Sequence, residues 1–218
     1  MKEEYFTPSN IDARAAILLR DAQTRRRQGL AFRPETSALL VLDMQEYFLR
    51  AESHAYVPSA RAILPGLQAM VKAWTAKGLP VIYTKHINTT ENAAGMASWW
   101  SELLVDENPL SAISSVFDTS TGEVIPKCQY DAFYGTALEA RLRASGRTQV
   151  VICGVMTHLC CETTARSAFM RGFEVFFPVD STATYNESFH RATLLNLAHG
   201  FASLTLVRDV LAALTRSE

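Results

Sequence analysis

Gln149-Val150-Val151-Ile152-Cys153-Gly154-Val155-Met156-Thr157-His158-Leu159-Cys160-Cys161-Glu162-Thr163-Thr164 is the stretch that decides the fold. Its first residues form a continuous apolar run, the pattern of a strand buried on both faces. A helical pattern follows over residues 160–171 and stops at Gly172, the residue type favoured just past a helix end. Strand, turn, helix and glycine in that order make half of a βαβ unit, which requires a parallel sheet.

The same pattern recurs on both sides. Further continuous apolar runs lie at residues 38–42, 80–83, 123–125, 174–179 and 203–207. Helix candidates lie at 59–77, ended by Gly78, at 135–145, ended by Gly146, at 187–199, ended by Gly200, and at 209–215. The expected architecture is a three-layer α/β/α domain, with helices covering both faces of a mostly parallel sheet. Residues 1–37 form an N-terminal arm ahead of the main domain at 38–218. The arm carries an amphipathic helix, capped by Asn10 or Ser9, with Ile11, Ala15, Leu18, Leu19 and Ala22 on one face. It is expected to pack on the main domain or on a second subunit. Residues 86–122 break the alternation and read as a long loop with a short helix. The loop is either a substrate lid or a surface excursion stapled down by Trp99 and Trp100.

Composition narrows the function. A chain of 218 residues, 48% hydrophobic, supports one sizeable core. The net charge of −1 argues against nucleic acid or a membrane surface as partner. The short basic run Arg25-Arg26-Arg27 reads as a solvated helix face. Met1-Lys2-Glu3-Glu4-Tyr5 is too charged for a signal peptide, and no apolar stretch approaches the ~20 residues of a membrane helix. Cys128, Cys153, Cys160 and Cys161 lack zinc spacing and read as free thiols in a reducing cytoplasm.

In a doubly wound sheet, ligands bind outside the carboxyl ends of the strands. Asp43 directly follows the first run, Lys127 the third, and Cys160 opens the helix after the fourth. Each has a bland alternative: a turn cap, a solvated lysine, an inert buried thiol. That last alternative fits Cys153 and Cys161 better than Cys160. A thiol in the first turn of a helix gains thiolate stabilisation from the dipole. A carboxylate can take its proton, and an ammonium can hold that carboxylate charged.

At these residues the chain resembles the isochorismatase-like hydrolase superfamily. Three blocks carry the resemblance: Leu39-Leu40-Val41-Leu42-Asp43-Met44-Gln45, Pro126-Lys127-Cys128-Gln129-Tyr130-Asp131-Ala132-Phe133, and Gly154-Val155-Met156-Thr157 through Cys160. The resemblance implies six strands ordered 3-2-1-4-5-6, with 38–218 as the hydrolase domain. It implies Cys160 as nucleophile, Asp43 as general base and acid, and Lys127 as the charge that tunes both. It also implies a cis peptide at Val155–Met156, with an oxyanion hole at the amides of Met156 and Cys160.

Nicotinamidases in this superfamily carry a metal-binding D-x-H pattern after the second strand. Here the corresponding residues are His86-Ile87-Asn88, so neither a metal nor any other cofactor is expected. True isochorismatases have Gly in place of Cys160, Arg near Gln129 and Gln near His86. This chain departs at all three, which favours a C–N bond in an amide, carbamoyl or ureido compound over a dianionic vinyl ether. Phe48, His86, Trp100, Tyr130 and Phe133 are the expected pocket walls around a small-molecule substrate. Two alternatives stay open: a vinyl-ether hydrolase with Asp43 as acid, and a thiol redox or binding protein using Cys160-Cys161. Homo-oligomerisation is expected from the family and the arm.

Overall fold

The structure, a computed structural model, describes residues 1–23, 30–100 and 102–216. The basic run Arg25-Arg26-Arg27 lies outside the described residues. In chain order the elements are α1 (Ile11–Gln23), β1 (Ser37–Leu42), α2 (Glu46–Leu49), α3 (Ala60–Ala76), β2 (Val81–His86), α4 (Met96–Trp99), β3 (Glu123–Lys127), α5 (Leu138–Ala144), β4 (Gln149–Val155), α6 (Glu162–Met170), β5 (Glu174–Pro178), β6 (Thr182–Ala183), α7 (Glu187–Gly200), β7 (Ser203–Thr205) and α8 (Val207–Arg216).

The sheet runs β3-β2-β1-β4-β5-β7, and every strand pairing in it is parallel. This is the expected six-strand order plus one short strand. The run at 174–179 breaks after Pro178 into a 3₁₀ turn, and two further residues, β6, pair with Gly154 and Val155 beyond the reach of β5. β1 and β4 are buried along their whole length, which explains why they read as unbroken apolar runs. Helices cover both faces. α3 buries Ala60, Ile63, Leu67, Met70, Val71 and Trp74 against the sheet, a stripe at helical spacing.

The glycines after α3, α5 and α6 take positive φ, as helix-terminating residues should. Gly200 departs from expectation: α7 runs through it and ends at Phe201, whose N–H bonds to the Leu197 carbonyl. Asn10 does precede α1, but its side chain accepts from the Thr7 N–H rather than from the helix's first turn. Ala15, Leu18 and Ala22 of α1 are buried, with Ile11 and Leu19 packed at the margin. The long excursion after β2 contains α4 and two 3₁₀ turns. Only Trp100 is tucked inward; Trp99 is 79% exposed and staples nothing. No helix among the described residues is long and apolar enough to cross a membrane.

Asp180, in the turn between β5 and β6, accepts a 2.8 Å hydrogen bond from the Val207 N–H at the start of α8. Burial pushes its carboxyl up from 3.8 to about 6, against the pull of that bond. The fold therefore prefers the protonated acid. This contribution to stability is complete below pH 3.8 and is lost as pH rises towards 6. Asp180→Asn keeps an oxygen for Val207 and removes the charge. Its Tm is expected to exceed that of the wild type at neutral pH and to converge with it near the lower value. Thermal melts across pH check this, and a lower Tm at neutral pH would contradict it.

Candidate active site

Strand β1 ends at Leu42, and Asp43 turns immediately into a left-handed conformation with φ 52°. Aspartate tolerates this region better than most residues. The Asp43 N–H donates to Thr84 Oγ1 at 3.1 Å, and the same hydroxyl donates to Asp43 Oδ1 at 2.6 Å. One buried threonine on β2 thus fixes both the backbone and the carboxylate. Next door, β4 approaches β1 so closely that Gly154 is obligatory. A Cβ there would lie 2.1 Å from the Leu42 carbonyl oxygen, and its φ is +112°. That approach sets the carboxylate beside the turn that follows β4.

Lys127 is the last residue of β3, in register with His86 of β2. Its Nζ lies 2.9 Å from Asp43 Oδ2, and both side chains are fully buried. It also donates to the Gln129 carbonyl at 2.8 Å and to Cys160 Sγ at 3.3 Å. His86 Nδ1 is 3.5 Å away. The ammonium meets Oδ2 as a charge contact, and the Cys160 thiol is the other group that pairs with the Asp43 carboxylate.

The Val155–Met156 peptide is cis, and the chain then forms a π-helical turn at Thr157–Cys161 before α6 begins at Glu162. Cys160 thus sits in the turn ahead of α6, and not in that helix's first turn as its spacing suggested. Burial, then the Asp43 charge, push the Cys160 thiol up to about 12, against the pull of Lys127. The resting thiol is protonated, so stabilisation of the thiolate by a helix end does not govern this site. Burial by itself would raise the Asp43 carboxyl, but Lys127 foremost holds it below 3.8. Lys127 is raised by the same pairing, despite its burial. The trio rests as one anion, one cation and one neutral thiol.

Cys160 opens onto a small cavity of ≈ 50 Å³. A water needs about 10–15 Å³ by this measure, so the space takes a handful of heavy atoms. Phe48, His86, Trp100 and Tyr130 line it, as does Met156. Trp100 Nε1 donates to the Tyr130 hydroxyl at 2.9 Å, joining the excursion after β2 to the segment after β3. Phe133 does not line the cavity. It is buried elsewhere, stacked on Phe173 at 5.9 Å with the Arg171 guanidinium over its ring. The turn capped by Asp131 carries Phe133 away to the back of α6.

Sequence reading missed Tyr47, His54, Glu102 and Tyr185, which complete the walls. It also missed Thr84, whose signal was a polar residue inside the apolar run of β2. Gln45 holds the crevice shut from below. Its amide donates to the His86 and Ser111 carbonyls and accepts from the His86 N–H. All four cysteines are free. Cys153 and Cys161 are wholly buried thiols, raised by burial.

An isochorismatase domain model matches residues 37–209. The chain belongs to the isochorismatase family. Nicotinamidase 3 of Arabidopsis thaliana is 38% identical over 195 residues, covering 87% of this chain and 93% of that protein. Enterobactin synthase component B of Escherichia coli (strain K12) is 28% identical over 84% of this chain, which spans only 65% of that longer protein. Among solved structures, a cysteine hydrolase from Pseudomonas syringae pv. phaseolicola superposes with a TM-score of 0.82 over 88% of this chain and 98% of the other, at 24% identity. The family's fold and this chain's sheet order coincide.

The metal position known from nicotinamidases does not fit the residues here. His86 Nε2 lies 3.0 Å from Asn88 Oδ1, while Nδ1 faces the Lys127 ammonium. Lysine can only donate, so Nδ1 accepts and Nε2 carries the proton. Burial, then Lys127, lower this imidazole to about 4, so it stays neutral. The Asn88 amide is itself turned to the Cys128 carbonyl. Among the described residues, no three His, Cys, Asp or Glu side chains gather as a metal cluster.

Removing either member of the ion pair strands the other in a dry site. Asp43→Ala or Lys127→Ala is expected to cost roughly 3–5 kcal/mol each. The double variant should lose less than the sum. Urea unfolding of the three variants measures this, and additive losses would show that the charges are not coupled.

Proposed function

We propose that the protein hydrolyses a C–N bond in a small, uncharged amide, carbamoyl or ureido compound. Cys160 is the nucleophile, Asp43 the proton carrier and Lys127 the charge that orients both. The observation that carries this reading is the sealed trio: a thiol 3.3 Å from an ammonium that is itself 2.9 Å from a carboxylate. A thiol held near 12 does not attack as a preformed thiolate. Attack and proton transfer must be concerted, with Asp43 Oδ2 receiving the proton as Sγ bonds to the substrate carbonyl carbon. The developing oxyanion would be met by the amides of Met156 and Cys160. Asp43 then returns the proton to the departing nitrogen, which leaves as ammonia or an amine. Water attacks the resulting thioester, with Asp43 again taking a proton, and frees the acid and the thiol.

The cavity's chemistry supports an uncharged substrate. Among the described residues, no lysine or arginine lines it, and its one acidic side chain is Glu102. A dianion such as isochorismate would need cationic recognition that these walls do not offer. Aromatic walls at Phe48, Trp100, Tyr130 and Tyr185 suit a flat ring. The likeness to Nicotinamidase 3 points the same way, so an aromatic primary carboxamide such as nicotinamide is the first compound to test.

Ammonia release from a panel of aromatic and aliphatic amides tests the reading. Cys160→Ala should lower kcat by about 10⁴-fold or more. An acyl adduct on Cys160 should be trapped by mass spectrometry of the quenched enzyme. Retention of activity in Cys160→Ala would transfer the chemistry to acid catalysis by Asp43. Stoichiometric zinc or iron in the purified active enzyme would overturn the metal-free reading. Asp43 and His86 both titrate on the acid side, so kcat/KM should stay flat from about pH 5 to 8. A rate that tracks a group near neutrality would contradict this assignment of the base.

A further inference from the structure

The N-terminal segment is tied to the domain: residues 1–4 lie exposed on its surface, and Tyr5 and Phe6 are buried. The Lys2 ammonium donates to the His54 carbonyl and lies 4.7 Å from the centroid of the Tyr185 ring. His54 and Tyr185 both line the cavity, contributed by segments 131 positions apart in sequence (185 − 54). The Glu3 N–H bonds to the Tyr185 carbonyl at 2.7 Å, and the Phe6 N–H to Ser59 Oγ at 3.1 Å. The strand-like segment thus ties the loop before α3 to the loop before α7.

Tyr5 goes deeper. Its ring is buried and its hydroxyl accepts from the Thr184 N–H at 3.0 Å. The hydroxyl also pairs with His190 Nδ1, 2.8 Å away. The same ring nitrogen is 3.4 Å from Thr157 Oγ1, the first residue of the turn that carries Cys160. Thr184 Oγ1 meets His158 of that turn at 2.6 Å. Burial keeps His190 neutral, lowered to about 3. Phe6 packs edge-on against the same imidazole at 5.3 Å, which holds the ring in place.

We propose that residues 2–6 are a strap belonging to the active site, in which Tyr5 positions the Cys160 turn through His190 and Thr157, and Lys2 positions the cavity walls at His54 and Tyr185. The strap touches neither the thiol nor the cavity's contents; it acts through the groups that do. This rests on Cys160 being the nucleophile only for its kinetic consequences, and its effect on the site's geometry stands without it.

The experiment compares wild type, Tyr5→Phe, Lys2→Ala and Lys2→Arg by two measurements. The first is labelling by iodoacetamide, resolved by peptide mass spectrometry into Cys160 and the wholly buried Cys153. Tyr5→Phe removes only the hydroxyl. It should speed labelling of Cys160 by about tenfold, the scale of one lost buried hydrogen bond, while Cys153 stays protected. The second is the steady state on whichever amide the wild type turns over. There Tyr5→Phe should lower kcat, Lys2→Ala should raise KM at unchanged kcat, and Lys2→Arg should restore KM. Wild-type labelling of Cys160 in Tyr5→Phe would overturn the strap's role. So would a parallel rise at Cys153, which signals general loosening of the fold. Should the wild type hydrolyse no amide, the proposed reaction fails, and the labelling still decides the strap.

Discussion

Two opposite charges are sealed from water at the tips of β1 and β3, and neither is tenable there without the other. An isolated carboxylate or ammonium in such a place would cost several kcal/mol in lost hydration. Paired at 2.9 Å, with Thr84 on the carboxylate and the Gln129 carbonyl on the ammonium, Asp43 and Lys127 stay ionised together. The pairing demands that β1, β2 and β3 end level with one another, and the parallel register supplies that level edge. It also demands that β4 come close enough to present the next turn, which the side-chain-free Gly154 allows.

The pair determines what the thiol can be. A thiolate beside Asp43 would place two anions against one ammonium in a dry site. The proton therefore rests on sulfur. In the proposed reaction the carboxylate takes it, and Lys127, close to Sγ and strongly held by Asp43, keeps its own proton. Burial, with the same ammonium beside it, keeps the His86 imidazole neutral. Burial and this one contact together set the charge states of Asp43, His86 and Cys160.

The cavity has a different origin. Its walls come from the loop before α3, the excursion after β2, the segment after β3 and the loop before α7. Hydrogen bonds between loops hold them, including Trp100 to Tyr130, Gln45 to His86 and Ser111, and the N-terminal segment to Tyr185. A rigid charged floor under walls assembled from loops is an arrangement in which chemistry can stay fixed while substrate preference varies.

The sequence alone determined the architecture, because a sheet buried on both faces must be written as continuous apolar runs, and its helices must stop where glycines allow. It also marked Asp43, Lys127 and Cys160, because each stands at the end of such a run, where ligands of this fold collect. Phe48, His86 and Tyr130 were legible near strand ends and Trp100 in the long excursion; His54, Glu102 and Tyr185 follow no run and carried no signal. Phe133 misled because proximity to Lys127 in the chain does not survive the turn capped by Asp131. The protonation of Cys160 could not be read either. Spacing placed the thiol at a helix end, whereas its charge state depends on burial and on a carboxylate 117 positions away in the chain (160 − 43). Local pattern fixes which elements form; what a group's charge costs is set by whatever the fold brings within a few ångströms of it, and only the tertiary structure decides that.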